Sequence, residues 1–185
     1  MAVATGGQVI ELVVNVMQGG HVLSIGGNRF LTLTAGYLGS LLWGVVIYLL
    51  AVRTKYDKAI MCCLGLVVLA ITVMFVRDLF ALVFSGIVGV SMIVMGVKAP
   101  VQVNDIILRV IGMTSMLYVP LDIYSDTIER SSLRSDAFML AEEFGGATVF
   151  WGSIWLCISV VILVVTLRVS LKFPPVKAVT DGESG

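Results

Sequence analysis

The sequence predicts an all-α, multi-pass membrane protein with four to five transmembrane helices and a small N-terminal β-hairpin or sheet. Three observations carry this fold class. The 185 residues are 58% hydrophobic and only 13% charged, whereas an ordinary soluble domain has about 25% charged residues. Uncharged apolar stretches as long as a bilayer crossing recur along the chain. The first 30 residues differ from the rest, alternating β-branched runs with glycine pairs.

In that first segment "QVIELVVNVM" is followed by "QGG", "HVLSIGG" and "NRFLTLT", the pattern of strands joined by glycine turns. A hairpin over residues 8–33 is expected, with His21 in its turn. A helix needs about 20 apolar residues to cross the roughly 30 Å hydrocarbon core, and residues 31–52 meet this without a charge. The apolar stretch from Ala59 to Val97 is about twice one span and is broken only by Arg77 and Asp78. It reads as two helices, 59–76 and 79–97, turning at that pair.

Residues 106–121 are shorter and contain Arg109, Gly112 and Pro120. They are read as a fifth span that is tilted, broken or re-entrant, because irregular backbone at membrane depth must be satisfied by protein or water. Residues 147–169 form the last span. A single membrane domain therefore covers 1–172, with a β-rich re-entrant element at 1–30 and a flexible tail at 173–185. With five crossings, Arg53, Lys55, Lys58, Lys98, Arg168, Lys172 and Lys177 all fall on one face, which the positive-inside rule makes cytoplasmic.

Composition also excludes. Twelve basic residues balance twelve acidic ones, and no basic patch interleaved with aromatics suggests a nucleic-acid groove, so the expected partner is the lipid bilayer. Cys62, Cys63 and Cys157 lie inside apolar runs, where a thiol behaves as a small hydrophobe. "MAVATGGQVIELVV" has no early Lys or Arg, so no cleaved targeting segment is expected.

The longest polar segment, Leu121–Gly146, holds Asp122, Asp126, Glu129, Asp136, Glu142 and Glu143 against Arg130 and Arg134. Asp122 and Asp126 are four apart, so on a helix they share one face, and a carboxylate at the end of an apolar run needs a counter-ion, water or a metal. The plainer reading is the solvated face of a connecting amphipathic helix, with Ser135 or Asp136 as its cap. Gly36, Ser40 and Gly44 recur at every fourth position, a small-residue stripe that lets helices approach closely. Arg77, Asp78 and Arg109 read as a tight turn and snorkelling side chains, with a transport path as the alternative. His21 is the only histidine, and zinc needs several His, Cys, Asp or Glu ligands.

Taken in order, "TGG", "GGNRFLTLTAGYLGSLLWG", "VRDLFALVFSGIVG", "LDIYSDTI" and "RSDAFMLAEEFGGATVFWGSIW" resemble the B-like branch of the site-2-protease class of intramembrane zinc metallopeptidases, peptidase family M50. The resemblance implies a helix bearing HExxH, which supplies two histidine ligands and a general base, and a later aspartate that completes the zinc site. It also implies that the hairpin is a re-entrant element and that a transmembrane protein segment is substrate or partner. The later aspartate maps to Asp122, with Asp126 second, and Asp136 maps to a supporting role. The sequence contains no HExxH, and Met1 falls just after the place where the resemblance puts that helix. It therefore reads as a fragment or as a short form without catalysis. The expected function is that of a membrane-embedded metallopeptidase-family protein, truncated or inactive because HExxH is absent. The alternative is a non-catalytic pseudoprotease or assembly protein that binds partner helices through Gly36, Ser40 and Gly44.

Overall fold

The structure, a computed structural model, describes residues 2–14, 20–129 and 135–172, with backbone alone for residues 11–14, 20–21 and 129. The described chain divides into two compact units, Met1–Arg29 with Tyr56–Ile106 and Phe30–Lys55 with Ile107–Gly185. The tail expected at 173–185 lies outside the described residues.

In the first unit, β1 (Gln8–Val14) pairs antiparallel with β2 (Gly20–Ile25). The register runs from Gln8 opposite Ile25 to Val14 opposite Gly20, with an irregularity between Val9 and Glu11. The sheet closes on glycine because a Cβ on Gly7 would come 2.7 Å from the Gly26 carbonyl oxygen. Gly26 and Gly27 then turn the chain with φ of 75°, a region that glycine enters without a steric cost. Thr5 ties the turn down, accepting from the Asn28 N–H at 3.0 Å and donating to the Ala2 carbonyl at 3.1 Å.

Two expectations are corrected here. His21 is a strand residue of β2, opposite Val13, and not a turn residue. "RFLTLT" is helix, not a further strand, because the chain has already been turned by Gly26 and Gly27 and its apolar residues then continue at helical spacing.

The same unit holds α2 (Asp57–Phe75) and α3 (Leu79–Lys98), an antiparallel pair with β1 packed beside both. Glycines set their approach, since a Cβ on Gly65 would lie 2.8 Å from the Gly89 carbonyl oxygen. Asp78 caps α3, accepting from the Ala81 N–H at 2.9 Å, which identifies the "RD" pair as the turn and its cap. The turn after α3 is stapled by Asn104, which is fully buried. Its amide Nδ2 donates to the carbonyls of Met95, Ala99 and Pro100 at 3.2, 3.4 and 3.1 Å.

The second unit contains α1 (Arg29–Arg53) from Phe30, α4 (Val101–Tyr124) from Ile107, α5 (Asp136–Phe144) and α6 (Thr148–Lys172). Its core joins Leu33, Tyr37, Leu41, Met116, Ile123 and Trp155. α1 and α4 touch backbone to backbone, because a Cβ on Gly112 would lie 2.7 Å from the Tyr48 nitrogen. Gly152 of α6 receives the Thr127 side chain where its own Cβ would be. Phe30 meets Phe144 and Trp151 edge-on at 5.5 and 6.0 Å, joining the starts of α1 and α6 to the end of α5.

α4 runs on through one π-helical turn, Ser125–Glu129. Over 106–121, expected as a tilted, broken or re-entrant span, the helix is unbroken and belongs to a longer candidate span, Val101–Ile128. The apolar window stops short because Gln102, Asn104 and Asp105 precede it, whereas backbone hydrogen bonding continues regardless of side-chain polarity. Pro120 lies inside α4; its missing N–H frees a carbonyl one turn earlier, close before the wider π turn. In all, five helices are long and apolar enough to cross a membrane, and the molecule is a multi-pass integral membrane protein.

Candidate functional site

The acidic residues singled out in the sequence come from three successive elements of the second unit. Asp122 lies in the last turn of α4, Asp126 in the π turn, and Asp136 at the first position of α5. Ser135 starts α5 by accepting from the Phe138 N–H at 3.2 Å, so Asp136 falls in the first helical turn, where a negative charge is favoured.

Of the three, Asp126 meets Tyr37 of α1 directly. The Tyr37 hydroxyl donates to Asp126 Oδ2 at 2.7 Å, and the Tyr37 ring is buried, tilted against Trp155 with centroids 5.3 Å apart. Asp136 reaches the helix beside it, its carboxylate occupying the place a Cβ on Gly36 would take. The sequence singled out Gly36 as a small residue for helix packing. In the structure the group that Gly36 admits is a carboxylate from another element of its own chain.

Gly44, two positions further along the same stripe, packs on α4, where a Cβ would lie 3.0 Å from both the Gly112 carbonyl oxygen and Met116 Cγ. Ser40 lies between them, exposed, with its hydroxyl returned to the Gly36 carbonyl at 3.1 Å. The two glycines thus serve different contacts, and the stripe is not one uniform face.

Beside this cluster is a cavity of about 500 Å³, whose wall includes Gly36, Tyr37 and Ser40 of α1 and Thr114, Tyr118 and Asp122 of α4. Asp122 faces the cavity while Asp126 engages Tyr37, so the two aspartates that share a helical face in the sequence have different surroundings. Tyr37 and the hydroxyls of α4 were not singled out in the sequence. The signal for Tyr37 is a polar tip next to Gly36 in an otherwise apolar run, and for α4 it is the four-residue spacing of Thr114, Tyr118 and Asp122.

The zinc implied by the resemblance can be tested against the donors present. A catalytic zinc takes three protein ligands and a water. Among the described residues no group of three or more His, Cys, Asp and Glu side chains is placed to hold a metal ion. Of the two candidate ligands, Asp126 already has one oxygen bonded by Tyr37. The single histidine of the sequence is in β2, and its side chain is outside the described residues. The described donors therefore do not fit a zinc site by themselves. Cys62, Cys63 and Cys157 are free thiols, and Cys62 donates weakly to the Ile93 carbonyl at 3.9 Å.

No curated protein and no solved structure matches the chain. One family model does match, that described as Peptidase M50B-like, over residues 1–166.

Proposed function

Since the chain belongs to the M50B-like peptidase family, we propose that it is the membrane-embedded body of a metallopeptidase-family protein that receives a membrane-spanning polypeptide segment beside α1 and α4 and does not cleave it unaided. The observation that carries this reading is the placement of Asp122 in the wall of a cavity between α1 and α4, with Asp126 and Asp136 held by Tyr37 and Gly36.

In this family zinc supplies an activated water for attack on a peptide carbonyl. Asp122 and Asp126 are the residues of this chain offered to such a metal, and two carboxylates fall short of the usual three protein ligands. What these residues do unaided is binding and positioning. Tyr37 fixes the Asp126 carboxylate by a short hydrogen bond, Gly36 seats Asp136, and Asp122 presents charge to the cavity.

The test is to purify the 185-residue chain into detergent, measure zinc per chain by elemental analysis, and incubate it with a membrane-spanning reporter. Substoichiometric zinc and an intact reporter are expected. Stoichiometric zinc, with cleavage that disappears in Asp122→Ala, would overturn the reading.

The alternative, partner binding through Gly36, Ser40 and Gly44, is narrowed by the geometry. Gly36→Leu with Gly44→Leu would displace Asp136 and Gly112 and so disturb the fold, whereas Ser40→Leu obstructs the cavity alone. Crosslinking of a partner helix should accordingly be lost in Ser40→Leu while the protein keeps its thermal midpoint. Undiminished crosslinking would count against the cavity as the place of contact.

A further inference from the structure

A helix of 25 residues, the length of both α1 and α6, rises about 37 Å, more than the roughly 30 Å hydrocarbon core. The ends of such helices reach the layer of lipid headgroups. In the second unit the last turns of these two meet, because Arg53 Nη2 donates to the Val169 carbonyl at 3.2 Å. Around that contact the chain places Arg53, Lys55, Arg168 and Lys172. Arg53 is half-buried and engages a carbonyl that the end of α6 leaves without a helical partner. Lys55 and Arg168 are exposed and make no hydrogen bond or ion pair with any described residue.

Neither α1 nor α6 contains an acidic residue. Asp126 and Asp136 meet α1 at Tyr37 and Gly36, at least sixteen residues before Arg53 and so about 24 Å away along the axis. Arg168 also continues an outward-facing stripe of α6. Val161, Val165, Arg168 and Lys172 follow at steps of four, three and four, which puts them on one side of the helix, and all four are exposed. This side is apolar through the membrane and turns basic at its edge, the profile of a lipid whose acyl chains end in an anionic headgroup. Basic side chains clustered at the ends of membrane helices hold such headgroups.

We propose that this end of α1 and α6 binds the phosphate of an anionic membrane lipid, with an acyl chain along Val161 and Val165. Lys55 and Arg168 donate to the phosphate oxygens, the Arg168 guanidinium as a fork that matches two of them. Lys and Arg at span ends also set orientation during insertion. Orientation asks nothing of the headgroup once the chain is folded, whereas a binding site discriminates between headgroups. The site lies at the opposite end of α1 from Gly36 and Tyr37 and is independent of the segment-receiving reading.

The full chain in dodecylmaltoside can be titrated with phosphatidylglycerol and with phosphatidylcholine of the same acyl chains, bound lipid being counted by native mass spectrometry. Phosphatidylglycerol should bind about five- to thirtyfold more tightly, the range for one or two basic side chains beside an anionic lipid. Lys55→Gln and Arg168→Gln should each lower that preference severalfold, and together bring it to near unity, while Arg168→Lys keeps most of it. If one Gln variant melts lower than wild type, the other carries the test. Lys98→Gln removes the same charge from the end of α3 and should leave the preference within twofold. Equal binding of the two lipids, the result if Asp181 and Glu183 of the tail neutralise these side chains, overturns the proposal. So does a preference that survives the double variant, or one that Lys98→Gln lowers as far. Millimolar inorganic phosphate should displace little phosphatidylglycerol; full displacement would make the ligand a free phosphate and overturn the lipid assignment.

Discussion

At the scale of single residues, the acidic cluster depends on one small residue and one hydroxyl. Gly36 leaves room for the Asp136 carboxylate on the side of α1, so Gly36→Ala forces that carboxylate away. Overpacking of this kind costs about 1–3 kcal/mol, and the thermal midpoint in detergent should fall by about 2–4 °C for each kcal/mol. An unchanged midpoint would mean that Asp136 repositions freely. Tyr37 gives the complementary case. Tyr37→Phe keeps the ring against Trp155 but leaves Asp126 Oδ2 without the donor now at 2.7 Å. A lost bond to a charged acceptor costs about 1.5–3 kcal/mol, so this variant should melt lower than wild type. Pairing it with Asp126→Asn checks the assignment, because the two effects should not add if they report one hydrogen bond.

At the scale of elements, the turns are held by side chains that the hydropathy pattern ranks as interruptions. Asn104 is polar, fully buried and donates to three carbonyls around the turn between α3 and α4. Asn104→Ala removes these bonds, each worth about 1 kcal/mol, and leaves the carbonyls to seek other donors. The expected outcome is a lower midpoint and faster backbone hydrogen exchange at residues 99–104. Protection equal to wild type would show that the turn holds without the amide. Asp78 does similar work at the start of α3. In both places a charged or polar side chain holds a turn by hydrogen bonds to its backbone.

At the scale of the whole molecule, we propose that all five candidate spans cross, a topology in which Arg53, Lys55, Lys98 and Lys172 share one side of the membrane and Glu142 and Glu143 the other. We propose that the basic side is cytoplasmic, as the bias of Lys and Arg predicts. Cysteines introduced singly at Lys55 and at Glu142, in a chain with the three native cysteines replaced, test this in sealed inverted vesicles. A membrane-impermeant maleimide should label the Lys55→Cys chain and spare the Glu142→Cys chain. Labelling of both, or the reverse pattern, would overturn the orientation.

The parts of this protein legible in the sequence are those that depend on neighbours along the chain. Membrane residence, the spans, the N-terminal strands and the turn at Asp78 follow from runs of apolar residues, β-branched pairs and a capping side chain, all properties of a local window. Even so, the window cut α4 short, because polarity near a helix start hides a backbone that is already helical. Family membership was also readable, through blocks of residues in order. What the sequence left open was the use of each candidate residue. Gly36 and Gly44 look equivalent at helical spacing, yet one admits a carboxylate and the other a helix. Asp122 and Asp126 share a face by spacing, yet one lines a cavity and the other holds Tyr37, a residue 89 positions away. His21 sits in a paired strand. Such roles come from contacts between elements distant in sequence, where burial and hydrogen bonding act through space and no periodicity along the chain records which partner will arrive. The sequence by itself therefore determined the solvent this protein folds in and the elements it folds into, and only the tertiary structure decided which polar groups those elements bring together.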